Sequence, residues 1–352
     1  MNGLASLKLK WPWGSNSKNE DLDNNVPSME NSTNWRVLTL AVFSLFIGLL
    51  MLGWYWSQEP EPFLVTPTYE VTEPVTGDIT TSTLIKVVDI LLEKPGGYIA
   101  NDLLPPGLWL DNLPSWEFGV LVQVRDLSKA MRESYSRSQS QSTEDPDLAL
   151  AEPRFNVNHT SWAVPWPESE YAEGQEHLQN YLNRLTDEDD YNAQFFARAD
   201  NLSHWLGTVE TRLGSLSQRL SASVGQRRIN TDLSGAVGAK QSTLAPIELE
   251  VKTPWFEIDD VFYEARGSSW ALLHFLKAAE VDFADVLARK NALTSVRQII
   301  RELEMTQQPI RSPIIVNGDG FGLLANHSLV MASYISRAHA AIIDLRELLT
   351  NG

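Results

Sequence analysis

Cysteine is absent from the 352 residues. No disulfide can staple this chain, so a buried core must hold whatever folds. The same absence excludes thiol nucleophiles, thiolate metal sites, redox relays and a lipoprotein or palmitoyl anchor, and Asn2 excludes N-myristoylation. Basic residues are the second shortage. Lys and Arg number 28 against 45 Asp and Glu, a net charge of -17. Up to position 36 the charges cancel, with Lys8, Lys10, Lys18 and Arg36 against Glu20, Asp21, Asp23 and Glu30. The excess therefore belongs to the remainder, where it argues against nucleic acid, whose phosphates call for a basic patch. Motifs for metals and cofactors are also missing. None of the six histidines sits in an HExxH pattern, and there is no GxSxG elbow or SxxK pair. A Ser–His–Asp arrangement stays open, because its order along a chain varies. Asn317–Gly322 has GxGxG spacing rather than the dinucleotide fingerprint, and fits a turn before a helix. The acidic run Asp187–Asp190 fits the charge preference of a helix N-terminus. No cofactor and no metal is expected.

One long apolar run is present. Val37–Trp56 reads VLTLAVFSLFIGLLMLGWYW and carries no charge. About 20 such residues span the ~30 Å hydrocarbon core of a bilayer. Trp54, Tyr55 and Trp56 stand at one end, where aromatic rings favour the interface. Basic residues precede the run, whereas Glu59, Glu61, Glu70, Glu73 and Asp78 come after it, with Lys86 the next cation. This asymmetry predicts a cytoplasmic N-terminus and export of the rest. The run is too long for a signal peptide, and no small-x-small cleavage site lies beyond it.

The expected organisation is a leader over 1–36, a transmembrane helix over 37–56, a Pro-rich stalk over 57–77 and an exported domain over 78–352. Pro60, Pro62, Pro67 and Pro74 make the stalk extended, with a reach of about 60 Å at ~3.1 Å per residue. The domain reads as an all-α helical bundle, with helices predicted over Ile79–Lys94, Val120–Ser138 and Glu168–Leu185. An ordered loop rich in Pro, Gly and aromatics is expected from Gly96 to Leu121. A further helix is predicted to begin near Asp187–Asp190. In it Phe195, Ala199, Leu202, Leu206, Val209, Leu213, Leu216 and Leu220 recur at 4,3,4,3 spacing. A mobile stretch is expected over Gly225–Val251, with a possible sub-boundary at 225–253. Helices are predicted over Pro254–Gln307, weakened at Gly267, and over Leu323–Leu349.

Several blocks carry a resemblance. They include Gly96-Gly97-Tyr98, Pro105-Pro106-Gly107, Asp111-Asn112, Trp116-Glu117-Phe118-Gly119 and Arg125-Asp126-Leu127. The segments RSQSQSTEDPDLA, RLGSLSQRLSASVGQ, EIDDVFYEARG and NGDGFGLLANHSLVMASYISRAHAA extend it over most of the chain after the stalk. The chain resembles an uncharacterised family of bacterial membrane-anchored proteins, a domain of unknown function. The resemblance implies a Gram-negative inner membrane, crossed once, with a helical periplasmic domain. It implies no catalytic residue.

Candidate residues remain. Asp260 and Glu264 lie one helical turn apart, and a buried carboxylate pair can do acid–base work; a solvated or Arg266-paired face is the plainer reading. Trp109, Trp116, Trp162 and Trp166 could form an aromatic ligand or partner surface, or be core. The seam Leu202, Leu206, Val209, Leu213, Leu216, Leu220 packs either within the bundle or between two copies. The expected partners are the bilayer, through residues 37–56, and a protein partner or second copy. The expected role is a membrane-anchored envelope factor that binds through helical surfaces, with a carboxylate-dependent envelope hydrolase as the alternative.

Overall fold

The computed structural model describes residues 32–65, 75–138, 143–187, 192–229, 248–310, 312, 314–318 and 323–351. The chain is all-α, with ten α-helices among the described residues. They are α1 (Ser32–Trp56), α2 (Asp78–Glu93), α3 (Asn112–Ala130), α4 (Pro146–Phe155) and α5 (Pro167–Thr186), and then α6 (Ala199–Ser221), α7 (Ile258–Asp282), α8 (Ala284–Arg289), α9 (Leu293–Thr306) and α10 (His327–Asn351). Contacts divide the chain into Met1–Gly48 and Leu49–Gly352. Trp35–Trp56 of α1 is long and apolar enough to cross a membrane, and almost none of it is covered by protein.

In the second unit, one cluster of buried apolar residues runs from Leu84 of α2 to Leu349 of α10. The pairs α3–α7 and α6–α10 form its main layers. α3 and α7 approach unusually closely because glycines stand at the crossing. A Cβ on Gly119 would lie 2.1 Å from the Glu264 carbonyl oxygen, and one on Gly267 2.0 Å from that of Trp116. Gly267 therefore does not weaken the helix at that point; α7 runs through it unbroken, and the missing side chain lets the two backbones meet.

Three helix starts differ from the sequence expectation. α3 begins at Asn112, inside the segment expected to be a loop. Asp111 caps it by accepting the Asn112 amide at 2.9 Å, and Pro114 sits in the first turn, where no intrahelical amide is needed. α6 begins at Ala199, not near Asp187. Residues 192–198 run without helix, and Phe195 packs edge-on to Tyr135 and Phe283, at 5.1 and 5.8 Å between centroids. α10 begins at His327 because the preceding residues fold back. The His327 amide donates to the Val316 carbonyl at 2.9 Å, and the Gly318 amide to that of Ala325 at 3.0 Å. Most of the GxGxG segment, with Asp319–Gly322, and most of the acidic run, with Glu188–Asp190, lie outside the described residues.

Two four-residue strands, β1 (Gln226–Ile229) and β2 (Glu248–Val251), pair antiparallel with Gln226 opposite Val251. They border the segment in which a sub-boundary was expected; residues 230–247 lie outside the described set.

Of the expected stalk, residues 57–65 and 75–77 are described, and both pieces lie against the helices. The Gly77 amide and the Thr80 amide and hydroxyl donate to Asp282 at 2.9, 2.6 and 2.6 Å, so a carboxylate from α7 caps α2. The Phe63 ring stacks on His274 at 3.9 Å and 13°, and Glu59 pairs with Arg266. Burying a ring and completing an ion pair give an extended, proline-bearing strand reason to lie down as a strap.

Candidate functional site

Helix α7 presents chemistry on two sides. On one side are the carboxylates singled out in the sequence. Ser115 of α3 donates its hydroxyl to Asp260 at 3.0 Å. Burial pushes the Asp260 carboxyl up from its ordinary range, against the Ser115 hydrogen bond and with help from Asp259, Asp111 and Glu257. Glu264 is held by a two-pronged guanidinium, Arg219 of α6, with one bond of 2.6 Å. The two carboxylates thus answer to different helices. Arg266, the partner considered for them from the sequence, is turned to the other side and takes Glu59 instead.

Glu264 opens onto a cleft of about 220 Å³ between α3, α6 and α7, with Phe118, Val122, Arg212, Arg219 and Ser268 among its walls. Arg212 is paired with Asp126 at 2.8 and 3.1 Å. Both cleft arginines therefore face a carboxylate, which leaves the cleft close to neutral. Among the described residues, no three His, Asp or Glu gather as a metal site.

On the other side of α7, Arg266 is 8% exposed and works as a hub. It donates to the Thr306 and Gln308 carbonyls at 2.9 Å each, closing the C-terminal end of α9, and its Nε binds Glu59. Burial raises the Glu59 carboxyl, with Arg266 opposing. One turn beyond Trp270, His274 is buried. Its Nδ1 lies 2.7 Å from the Trp270 carbonyl, and its Nε2 accepts the Phe63 amide at 3.0 Å. Those partners fix a neutral tautomer protonated on Nδ1. Burial takes its pKa down to about 4. Next to this hub lies an apolar groove of about 340 Å³, lined by Phe262, Met305, Ile310, His327, Val330 and Tyr334 among others.

A third polar centre lies at the other end of α2. Lys94 and Glu117 form an ion pair with side chains 1% and 0% exposed. Glu117 also accepts the Ile99 and Ala100 amides at 2.9 and 2.8 Å, which locks the loop after α2. Burial raises the Glu117 carboxyl; Lys94 and the two amides oppose that shift.

A family model described as an uncharacterized protein conserved in bacteria (DUF2333) matches residues 28–352. The chain belongs to this family. No curated protein and no solved structure matches it. The match takes in both α1 and the helical unit, so the DUF2333 sequence pattern includes the apolar helix as well as the packed helices.

In this DUF2333 chain the four candidate tryptophans separate. Trp116 is not at the surface: it is fully buried, 5.2 Å from Trp270 between ring centroids. Trp109, Trp162 and Trp166 are exposed. The seam residues Leu202, Leu206, Val209, Leu213, Leu216 and Leu220 are all buried within the chain, where α6 packs chiefly on α10. Arg266, Glu59 and His274 are the residues that the sequence reading missed as a group. They lie 207 and 211 positions apart in the Glu59–Arg266 and Phe63–His274 contacts, so no local pattern could pair them.

Proposed function

We propose that this DUF2333 protein is a single-span protein of the bacterial inner membrane with a cytoplasmic N-terminus. Its helical domain lies in the periplasm and acts as a non-enzymatic envelope factor that binds a protein partner or a cell-wall component. The observation that carries the reading is α1: 22 residues from Trp35 to Trp56, apolar and almost uncovered, joined to a unit that already has its own core. The basic-to-acidic change across α1 supports the orientation. The groove beside Arg266 is an apolar concavity suited to a partner side chain, since its walls are preset by packed helices.

The lack of cysteine makes the test direct. Single cysteines at Ser17 and at Thr350 are treated in intact cells with a membrane-impermeant maleimide after the outer membrane is made permeable. Labelling at Thr350→Cys alone supports the reading, and labelling at Ser17→Cys overturns the orientation. Crosslinking of the full-length chain in cells should then trap a discrete envelope partner, and Val330→Asp should reduce that crosslink without altering the fold. The alternative, an envelope hydrolase working through Asp260 and Glu264, has one supporting observation in the raised Asp260 carboxyl. It requires Asp260→Asn to abolish the cellular effect while crosslinks persist.

A further inference from the structure

Two loops carry exposed apolar side chains. Between α2 and α3, Leu103, Leu104, Leu108 and Trp109 are exposed, Leu104 by 77%. Before α5, Trp162, Val164 and Trp166 are exposed, Val164 by 86%. The loops form one surface. Asn101 Nδ2 donates to the Ser161 carbonyl and to Glu168, each at 3.1 Å, and the Tyr98 hydroxyl donates to the His159 carbonyl at 3.1 Å. The Lys94–Glu117 pair anchors the base of the first loop. An apolar patch held this firmly and this openly marks an interaction surface.

Its neighbour identifies the occupant. The last turns of α1 lie against the same loops: a Cβ on Gly53 would stand 3.2 Å from the Pro106 Cβ, and one on Gly96 2.8 Å from the Trp56 ring. Trp54 and Tyr55 in that turn are themselves exposed. Three neighbouring stretches near the end of the apolar helix therefore each carry exposed aromatic residues, the placement expected of an interfacial belt. The opposite end of α2, capped by Asp282, is 16 residues or about 24 Å away. Residues 95–115 and 155–168 contain no Lys or Arg but do contain Asp102, Asp111 and Glu168. Such a surface is matched to the hydrocarbon boundary rather than to anionic head groups.

We propose that these two loops insert into the membrane interface beside α1, with the bilayer itself as the occupant. The proposal rests on the reading that α1 crosses the bilayer. It is tested with the full-length chain carrying one introduced thiol, at Leu45→Cys, Leu104→Cys, Val164→Cys or Asp285→Cys, each on an exposed side chain. Each variant bears a polarity-sensitive dye and is reconstituted into phosphatidylcholine vesicles with or without lipids spin-labelled on the acyl chain. The expected result is quenching at 45, 104 and 164 several-fold above that at 285, unchanged when half the lipid is phosphatidylglycerol. Quenching at 45 alone overturns the insertion and leaves the anchor standing. Absence of quenching at 45 overturns both. Quenching at 104 and 164 only with phosphatidylglycerol overturns the apolar mode. Dyes at 104 and 164 that are shielded by a co-purifying protein, without lipid quenching, assign the surface to that protein and overturn the proposal.

Discussion

Replacing Gly267 with alanine puts the α3–α7 crossing under a defined load. The new Cβ would stand 2.0 Å from the Trp116 carbonyl oxygen, whereas real Cβ atoms stay beyond 3.0 Å, so the helices must part locally by at least 1.0 Å. Both contacting atoms belong to backbone, so no rotamer change relieves the clash. A gap of 0.5–1 Å forfeits roughly a quarter to a half of each dispersion contact across it. The seam it opens includes the Trp116–Trp270 contact and the buried hydrogen bond from Gln123 to Ser268, 2.9 Å long. Overpacking of this kind costs about 1–3 kcal/mol and sometimes more, while the better helix propensity of alanine returns about 1 kcal/mol. Because rigid backbone sits on both sides, the cost belongs at the upper end, for a net loss of about 2 kcal/mol. For a unit of this size, Leu49–Gly352, that lowers Tm by roughly 3 °C. Thermal melts of the full-length protein in detergent, monitored by far-ultraviolet circular dichroism, read the shift. Gly119→Ala, with its Cβ 2.1 Å from the Glu264 carbonyl oxygen, should match it. Gly207→Ala is the control, because its Cβ meets only the end of the Arg346 side chain, at 3.1 Å. A Gly267→Ala protein that melts at or above the parent temperature would refute the close-crossing argument.

Three further outcomes concern the polar centres and the seam. Lys94→Met leaves Glu117 buried without its cation and should cost about 3–5 kcal/mol in denaturant unfolding, and a loss under ~1 kcal/mol would show that the two amides satisfy Glu117 alone. His274 titrates near 4 when folded and near 6.5 when unfolded. Between those values the unfolded chain binds more protons, so stability falls as pH drops from about 6.5 toward 4, by about 3 kcal/mol from this group. The raised carboxyls of Glu59 and Asp282 act in the opposite sense, so the informative quantity is the difference in pH slope between the parent and His274→Gln; parallel slopes would remove His274 as the cause. Leu213→Ala, deep in the α6 seam, should cost about 2–5 kcal/mol without changing the sedimentation coefficient, and dissociation of a dimer in that variant would put the seam between chains.

Much of the helical framework was legible because periodic apolar spacing needs no partner to be recognised. α2 and α5 fall within a residue or so of their expected bounds, and the 4,3,4,3 run is buried from Leu202 to Leu220. The start of α3 was hidden because Pro114, Gly119 and a run of aromatics imitate a loop. In the fold, the proline occupies a first turn and the glycine a backbone crossing. Phe195 kept the seam period yet lies outside α6, since a ring cluster with Tyr135 and Phe283 holds it. The strands are four residues long and β2 is exposed throughout, so no alternation could signal them. The fates of Asp260, Glu264 and Arg266 depend on which neighbouring helix each side of α7 meets. Their one-turn spacing is silent on that point, which is why Arg219 and Ser115 went unnamed as partners.

The strap changes how far the domain can roam. A free spacer over 57–77 would let the domain sweep a hemisphere about 60 Å in radius. The first fixed contact after Trp56 is Glu59, held by Arg266, and three residues of chain cover only about 10 Å. Even a free leash of that length would sweep a space roughly two hundred times smaller, since volume scales with the cube of reach, and the packing of Trp56 beside Gly96 tightens it further. With α1 across a bilayer, as proposed, a partner resident in or beside that membrane meets the domain at a correspondingly higher local concentration, whereas a partner tens of ångströms away stays out of reach while these contacts hold.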